Sequence, residues 1–392
     1  MSKNKIKVLQ VTGAMNRGGA EVMLMDIYRN ICNDLHFDFL INYKVKAGIL
    51  KGDFDDEIRS KGGQIEYIGS QLDIGILTYI KEFKQVIHKI GNPDIVHIHM
   101  NAKSGVISLA AKKAGIKNII VHSHADLKFR GSFISKIIRN LELVIQKKLI
   151  AKSANYFWGC SKEANLSLFY KKKLTTDNSQ IINNAVDVDS YQNVSFSQLK
   201  ELRMSYGVNE NTIVIGNVGR IVRHKNVSFI MDVLDILNKE NIDFIFVFAG
   251  REEQPDYLNE IKNKAKTYKL ESKIKYLGVR SDIPLLLNSF DVFLGPALQE
   301  GFGLVAVEAQ AAGLPCVLYK GFPKAVDMGL NLVTFLDNFN TTEWVSAINH
   351  LPKKESNFKL IKDSILSKGF DTKENTKKIE NIYKLIYHNN IR

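Results

Sequence analysis

The chain has 392 residues, 45% hydrophobic and 24% charged, which excludes a largely disordered polymer and gives room for two packed cores rather than one. No apolar run approaches the roughly 20 residues needed to cross a bilayer, and residues 1–7 lead into a strand-like segment without a signal-peptide core, so a cytoplasmic protein is expected. The net charge of +13 is concentrated: residues 101–173 hold fifteen Lys or Arg against Asp126, Glu142 and Glu163, a field suited to an anionic partner.

Strands are predicted over 6–12, 37–43, 64–68, 95–99, 118–122, 156–159 and 180–182, with helices beginning near Ala20, Leu50, Tyr79, Ser104, Phe133 and Lys162. A polar segment without a clean period, 183–200, ends this series. A second series has strands over 212–218, 243–249, 273–276, 292–294, 315–318 and 332–335, with helices near Val227, Tyr257, Ile283, Leu304 and Thr342. Residues 373–387 read as a long final helix. Apolar runs alternating with helical periods specify parallel sheets covered on both faces. The expected fold is α/β, with a Rossmann-like domain over 1–190, a second over 191–370 and a terminal helix, 371–392, able to cross back to the first. Ligands of such sheets bind beyond the carboxyl ends of the strands. No internal repeat or low-complexity tract is present.

The first strand runs into Gly18 and Gly19, where a helix begins. Two glycines at such a turn let backbone approach a ligand, and a helix start favours an anion; the alternative is a turn that needs glycine only for its geometry. GxGxxG spacing is absent, which argues against a dinucleotide cofactor. His97 and His99 read as structural or acceptor-side residues. His122 and His124 close a strand, are expected to point in opposite directions, and remain open to being core histidines. Residues 133–152 form a basic amphipathic pattern, with Ile134, Ile137, Ile138, Leu141, Ile145 and Leu149 on one stripe. That helix either docks on its own domain or lies on an anionic lipid surface. Cys32, Cys160 and Cys316 lack metal-ligand or CxxC spacing and are expected as small buried hydrophobes. Asp187 and Asp189 are expected to form a turn.

In the second half, Gly219-Arg220-Ile221-Val222-Arg223-His224-Lys225-Asn226 follows a strand directly. Arg220 offers a fork of donors and Lys225 a movable point charge where a diphosphate would lie. Glu300-Gly301-Phe302-Gly303-Leu304-Val305-Ala306-Val307-Glu308 follows another strand and opens a helix whose backbone N–H groups suit diphosphate or sugar oxygens. Glu308 lies among small and apolar residues in a helix expected to be buried, where a carboxylate needs a partner. Vicinal sugar hydroxyls are suitable donors.

Glu300 and Glu308 with seven residues between them, Gly219-Arg220 with Lys225-Asn226, Gly18-Gly19-Ala20-Glu21, and Leu277-Gly278 with Asp282-Ile283 together resemble the retaining glycosyltransferases of the GT-B fold, group 1 or family 4. The likeness covers essentially the whole chain and is especially strong to exopolysaccharide and capsule transferases. It implies two domains facing across a cleft. It also implies that Arg220 and Lys225 neutralise a donor diphosphate, Glu300 contacts the donor sugar and Glu308 holds the ribose. Backbone at Phe302, Gly303 and Leu304 would line sugar and phosphate, backbone at Val279 and Arg280 would meet the base, and His124 would reach the sugar from the first domain. Pro296-Ala297 stands where Pro-Ser is common, and Asn183-Asn184-Ala185 where Asn-Gly is. The implied activity is transfer of a hexose or N-acetylhexosamine from a nucleotide-diphosphate donor, such as a UDP-sugar, to a lipid-linked polysaccharide precursor, without metal or other cofactor. Rival readings are a nucleotide-sugar epimerase of the same architecture and a non-catalytic binding subunit. Nucleic acid is not an expected partner, since neither stacked aromatics nor a helix-turn-helix accompanies the charge.

Overall fold

Strand and helix alternate along the computed structural model, which describes residues 5–127 and 132–389. The chain divides into two units, one of residues 1–185 with 372–392 and one of 186–371. The passage between them lies near 185 rather than 190, because Val186 bridges to Asp371 and both crossing segments are thereby tied into the second unit.

The first unit is built on β1 (Ile6–Thr12), β2 (Leu35–Tyr43), β3 (Ile65–Gly69), β4 (Ile95–Ile98), β5 (Asn118–Ser123), β6 (Tyr156–Gly159) and β7 (Ser179–Ile181). They form one sheet in the order β3-β2-β1-β4-β5-β6-β7, with every neighbouring pair parallel. Because side chains alternate across a strand, the sheet feeds two cores. Val8, Ile95 and Ile120 pack on one face with the helix Gly19–Asn30 and the final helix Thr372–Asn389. Leu9, Val11, Val96, Ile98 and Val121 pack on the other, beneath Ile76–Lys89 and Ser104–Lys113. Ile379 and Ile386 of the final helix are 1% and 3% exposed. Burial of each is worth about 1.5–3 kcal/mol, which makes that helix a layer of the first core rather than an appendage.

The second unit has β8 (Ile213–Val218), β9 (Phe244–Ala249), β10 (Ile274–Tyr276), β11 (Val292–Gly295), β12 (Cys316–Tyr319) and β13 (Val333–Leu336), all parallel in the order β10-β9-β8-β11-β12-β13.

Some local expectations shift. The helix expected near Leu50 is Asp55–Ser60, after a short 3-10 turn at Val45–Ala47. The polar connecting segment contains helices Val188–Gln192 and Phe196–Ser205. Asp187 therefore precedes a helix rather than forming an isolated turn, and Asp189 accepts from Lys362 Nζ at 2.5 Å. Of the three free thiols only Cys316 is buried; Cys32 and Cys160 are half-buried. Among the described residues no helix is long and apolar enough to cross a membrane.

Candidate functional site

The carboxyl ends of β8 and β11 carry the charged cluster of the second unit. Where β8 and β9 end, the chain passes itself so closely that a Cβ on Gly250 (φ 151°) would lie 1.7 Å from the Gly219 carbonyl oxygen. Glycine at 250 is therefore required both by space and by its backbone conformation. A 3-10 turn, Arg223–Lys225, follows, and Asn226 in the left-handed region (φ 56°) starts the helix Val227–Lys239. The loop after β11 is tied to this turn by the Leu298 N–H donating to the His224 carbonyl at 2.8 Å. Its other anchor is the Glu300 N–H donating to the Gly321 carbonyl at 2.9 Å. These two anchors bring Glu300 onto Lys225, and Lys225 Nζ donates to Glu300 Oε1. The side chains are 18% and 9% exposed, a setting in which a charge-assisted bond is stronger than at an open surface. Asn217, Pro296, Ala297, Val305 and Phe322 line a small pocket around the pair.

Arg220 does not join that pair: its side chain is 52% exposed and its guanidinium donates to Glu253 at 3.0 Å. Glu308 is half-buried in the helix Leu304–Ala311, whose residues Ala306, Val307, Ala309, Gln310 and Ala311 are buried. Gly303 begins that helix at φ 84° and packs so tightly that a Cβ would lie 2.5 Å from the Phe322 ring. Phe302 stacks on Phe370 at 4.9 Å and Leu304 packs on the core, leaving backbone as the polar part of this stretch. Arg280 donates twice to Asp282, which raises its pKa further, so its guanidinium is engaged within the chain.

In the first unit, Gly18 precedes the helix Gly19–Asn30 without a side-chain cap. Glu21 folds back against it, with Oε2 only 2.3 Å from where a Gly18 Cβ would stand. Its carboxyl accepts from its own backbone N–H, and burial raises its pKa. The helix start therefore already faces a carboxyl group of the chain itself.

Four imidazoles meet beside the final helix. His122 and His124 do not point in opposite directions: residues two apart on a strand share a face, and their ring centroids are 4.1 Å apart. His97 and His99 are likewise 4.2 Å apart. His97, His99 and His122 are buried, and burial lowers the pKa of all four, that of His124 to about 4. At neutral pH the cluster is uncharged. His99 bridges outward and inward, with Nδ1 2.8 Å from His124 Nε2 and Nε2 2.9 Å from Gln10 Oε1. Gln10 Nε2 donates to Tyr383 Oη at 3.3 Å, and Tyr383 Oη is 2.6 Å from His97 Nδ1. Ring nitrogens of His97, His99 and His122 lie within 4.8 Å of one another, a spacing compatible with a metal ion. The geometry disfavours one: both His99 nitrogens are engaged, and the His97 and His122 rings are parallel within 6° at 5.4 Å. A metal lies in the plane of each imidazole it binds, and two offset parallel planes share no such point.

Gln10 and Tyr383 were missed from the sequence because no short motif joins residues 373 apart. The available signal was a lone amide inside the apolar strand IKVLQVT.

The basic helix spans Phe133–Ser153, and its apolar stripe divides. Leu143, Leu149 and Ile150 pack on the first unit's core, where Gln146 accepts from the Val106 N–H at 3.2 Å. Ile134, Ile137, Ile138, Leu141, Val144 and Ile145 are 42–70% exposed, beside exposed Lys136, Arg139 and Lys148. Docking on its own domain thus accounts for one end of the helix, and the apolar residues of the other end are exposed among the described residues.

Residues 199–364 match the family described as glycosyl transferases group 1. Over 392 aligned residues the chain is 30% identical to EpsF of Bacillus subtilis (strain 168), named as a glycosyltransferase, with 98% of each chain covered. The chain belongs to the group 1 glycosyltransferases. This group 1 glycosyltransferase is also 27% identical over 305 residues to CapH of Staphylococcus aureus, a capsular polysaccharide biosynthesis glycosyltransferase, covering 78% of each. It is 29% identical over 257 residues to the Escherichia coli UDP-Gal:alpha-D-GlcNAc-diphosphoundecaprenol alpha-1,3-galactosyltransferase, covering 62% of this chain and 63% of that one. In fold it matches Anabaena HepE, solved with UDP and glucose, at a TM-score of 0.74 and 20% identity, covering 96% of this chain and 98% of HepE. The fold is GT-B.

Proposed function

We propose that this glycosyltransferase moves a hexose or N-acetylhexosamine from a UDP-sugar to a lipid-linked precursor of a cell-surface polysaccharide. The transfer retains anomeric configuration and needs no metal. The observation that carries the reading is the Lys225–Glu300 pair at the strand ends of the second unit. Cleavage of the anomeric C–O bond gathers negative charge on the departing diphosphate, and a preorganised cation is the group that stabilises it. Lys225 is held in place by Glu300 before any ligand arrives. Arg220 supplies a second cation, since its exposed pair with Glu253 is of the weak surface kind. Together they take the part a divalent ion plays elsewhere. Glu300 and Glu308 suit sugar and ribose hydroxyls, backbone at Phe302, Gly303, Leu304 and Arg280 serves the rest of the donor, and His124 serves the donor sugar.

UDP as the nucleotide is supported by HepE, solved with UDP, and by the UDP-Gal donor of the Escherichia coli relative. That relative's diphosphoundecaprenol acceptor and the capsular role of CapH support a lipid-linked polysaccharide precursor. The exposed apolar and basic end of the helix Phe133–Ser153 supports a seat on anionic lipid at the inner membrane face.

A panel of UDP-, GDP- and ADP-sugars, scored for nucleotide release with and without membrane extract, should single out UDP-sugars, require acceptor and resist EDTA. Conversion of the donor without acceptor would point to an epimerase instead. Lys225→Ala should lower turnover by about 10²–10³-fold with an unchanged circular dichroism spectrum; full turnover refutes the reading. In flotation at low salt, the protein should rise with anionic liposomes and Ile138→Glu should weaken this. Indifference of the wild type to such liposomes removes the membrane part.

A further inference from the structure

The hydrogen bonds around His124 have a direction, and that direction can be followed from one end to the other. An amide nitrogen only donates and an amide oxygen only accepts. Gln10 Nε2 donates to Tyr383 Oη at 3.3 Å, so the phenol's own hydrogen is left for His97 Nδ1 at 2.6 Å. Burial pushes the Tyr383 pKa up, which keeps that hydrogen in place. On its other side Gln10 presents Oε1 to His99 Nε2 at 2.9 Å, so His99 must carry its proton on Nε2. Burial keeps His99 neutral; a neutral imidazole with a proton on Nε2 has a bare Nδ1. That bare Nδ1 lies 2.8 Å from His124 Nε2, which must therefore donate. His124 is also neutral well above its pKa of about 4, so its own Nδ1 is bare. This last nitrogen is buried and has no hydrogen-bond partner among the described residues.

We infer that Gln10, His99 and Tyr383 are positioning residues that hold His124 in the Nε2–H tautomer, leaving Nδ1 as an acceptor for a hydroxyl of the bound sugar. The inference rests on the reading of His124 as a residue that serves the donor sugar. A buried acceptor without a donor is costly, and a sugar hydroxyl supplies the donor that the described residues do not. The orientation of one amide sets the whole relay. Were Gln10 rotated to offer Nε2 to His99, every donor between it and His124 would reverse and His124 would carry its proton on Nδ1. The Tyr383 hydroxyl is the anchor on the far side of that amide. It comes from the final helix, so the helix that completes the first core also sets the proton position two imidazoles away.

The test uses the full chain with 15N-labelled histidine, and two-bond 1H–15N correlation spectra that separate the two tautomers. The His124 signals are assigned from their loss in His124→Ala. Wild type should show His124 as Nε2–H at neutral pH. Tyr383→Phe keeps the ring, which stacks on Trp158 at 5.8 Å, and loses only the hydroxyl. Gln10→Met removes the amide at similar volume. Either should give a mixture of His124 tautomers and lower kcat for UDP-sugar by about 10- to 100-fold, the range typical when a group that sets a histidine tautomer is lost, with the donor KM little changed. A wild-type His124 protonated on Nδ1 overturns the inference, as does a His124 tautomer that stays purely Nε2–H in both variants. Should the tautomer become mixed while kcat stays at the wild-type level, the relay stands and the role of His124 at the sugar falls.

Discussion

Two clusters lie at strand ends in this molecule, and they treat charge in opposite ways. In the second unit Lys225 and Glu300 meet as an ion pair with side chains 18% and 9% exposed. In the first unit four imidazoles, three of them buried, are neutral, and what they hold is the direction of hydrogen bonds instead. A buried charge must be paired, whereas a buried neutral polar group needs only a hydrogen-bond partner. The same kind of sheet therefore carries one strand-end cluster whose chemistry suits an anion and one whose chemistry suits a hydroxyl.

Beyond the loss of turnover expected at Lys225, the comparison is broken most readily by pH. The four histidines have folded-state pKa values below the unfolded value of about 6.5. Above about pH 6.5 neither state is protonated, and the stability tied to these groups is fully present. As pH falls from there toward about 4, where His124 takes its proton, the unfolded chain binds protons that the folded chain does not. Unfolding free energy should drop by about 1.4 kcal/mol per pH unit for each such histidine. Urea midpoints of wild type between pH 7 and 4.5 measure the slope, and His122→Leu should reduce it by about one proton. An identical slope in the variant would mean that His122 is already charged in the fold.

A smaller effect sharpens the picture within the cluster. His99→Leu strips partners from both Gln10 and His124 and should cost about 1–3 kcal/mol at pH 7. Neither ring nitrogen of His122 has a hydrogen-bond partner among the described residues, so His122→Leu should be nearly neutral. Urea midpoints of the two variants check the order; a reversal would show that His122 carries the bonding.

Much of this was legible before any coordinates. All thirteen strands were anticipated, because apolar runs bounded by turn residues are local signals. The charged residues at these strand ends were legible for the same reason: Arg220 and Lys225 follow β8, and seven residues separate Glu300 from Glu308 around one helix start. The polar connection hid the helices Val188–Gln192 and Phe196–Ser205, whose patterns are too short or too polar to show a period. The expectation that His122 and His124 diverge failed on the pleat itself, since a period of two returns every second side chain to one face.

The sequence by itself determined the alternation of elements, the two-core architecture and the residue types at the strand ends, because each depends on neighbours a few positions away. Tertiary structure alone decided that Lys225 pairs with Glu300 while Arg220 turns to Glu253, that the apolar stripe of the basic helix is packed toward one end and exposed toward the other, and that Gln10 meets Tyr383. Those outcomes depend on which surfaces the packed units bury, and burial decides which polar groups must find partners and where.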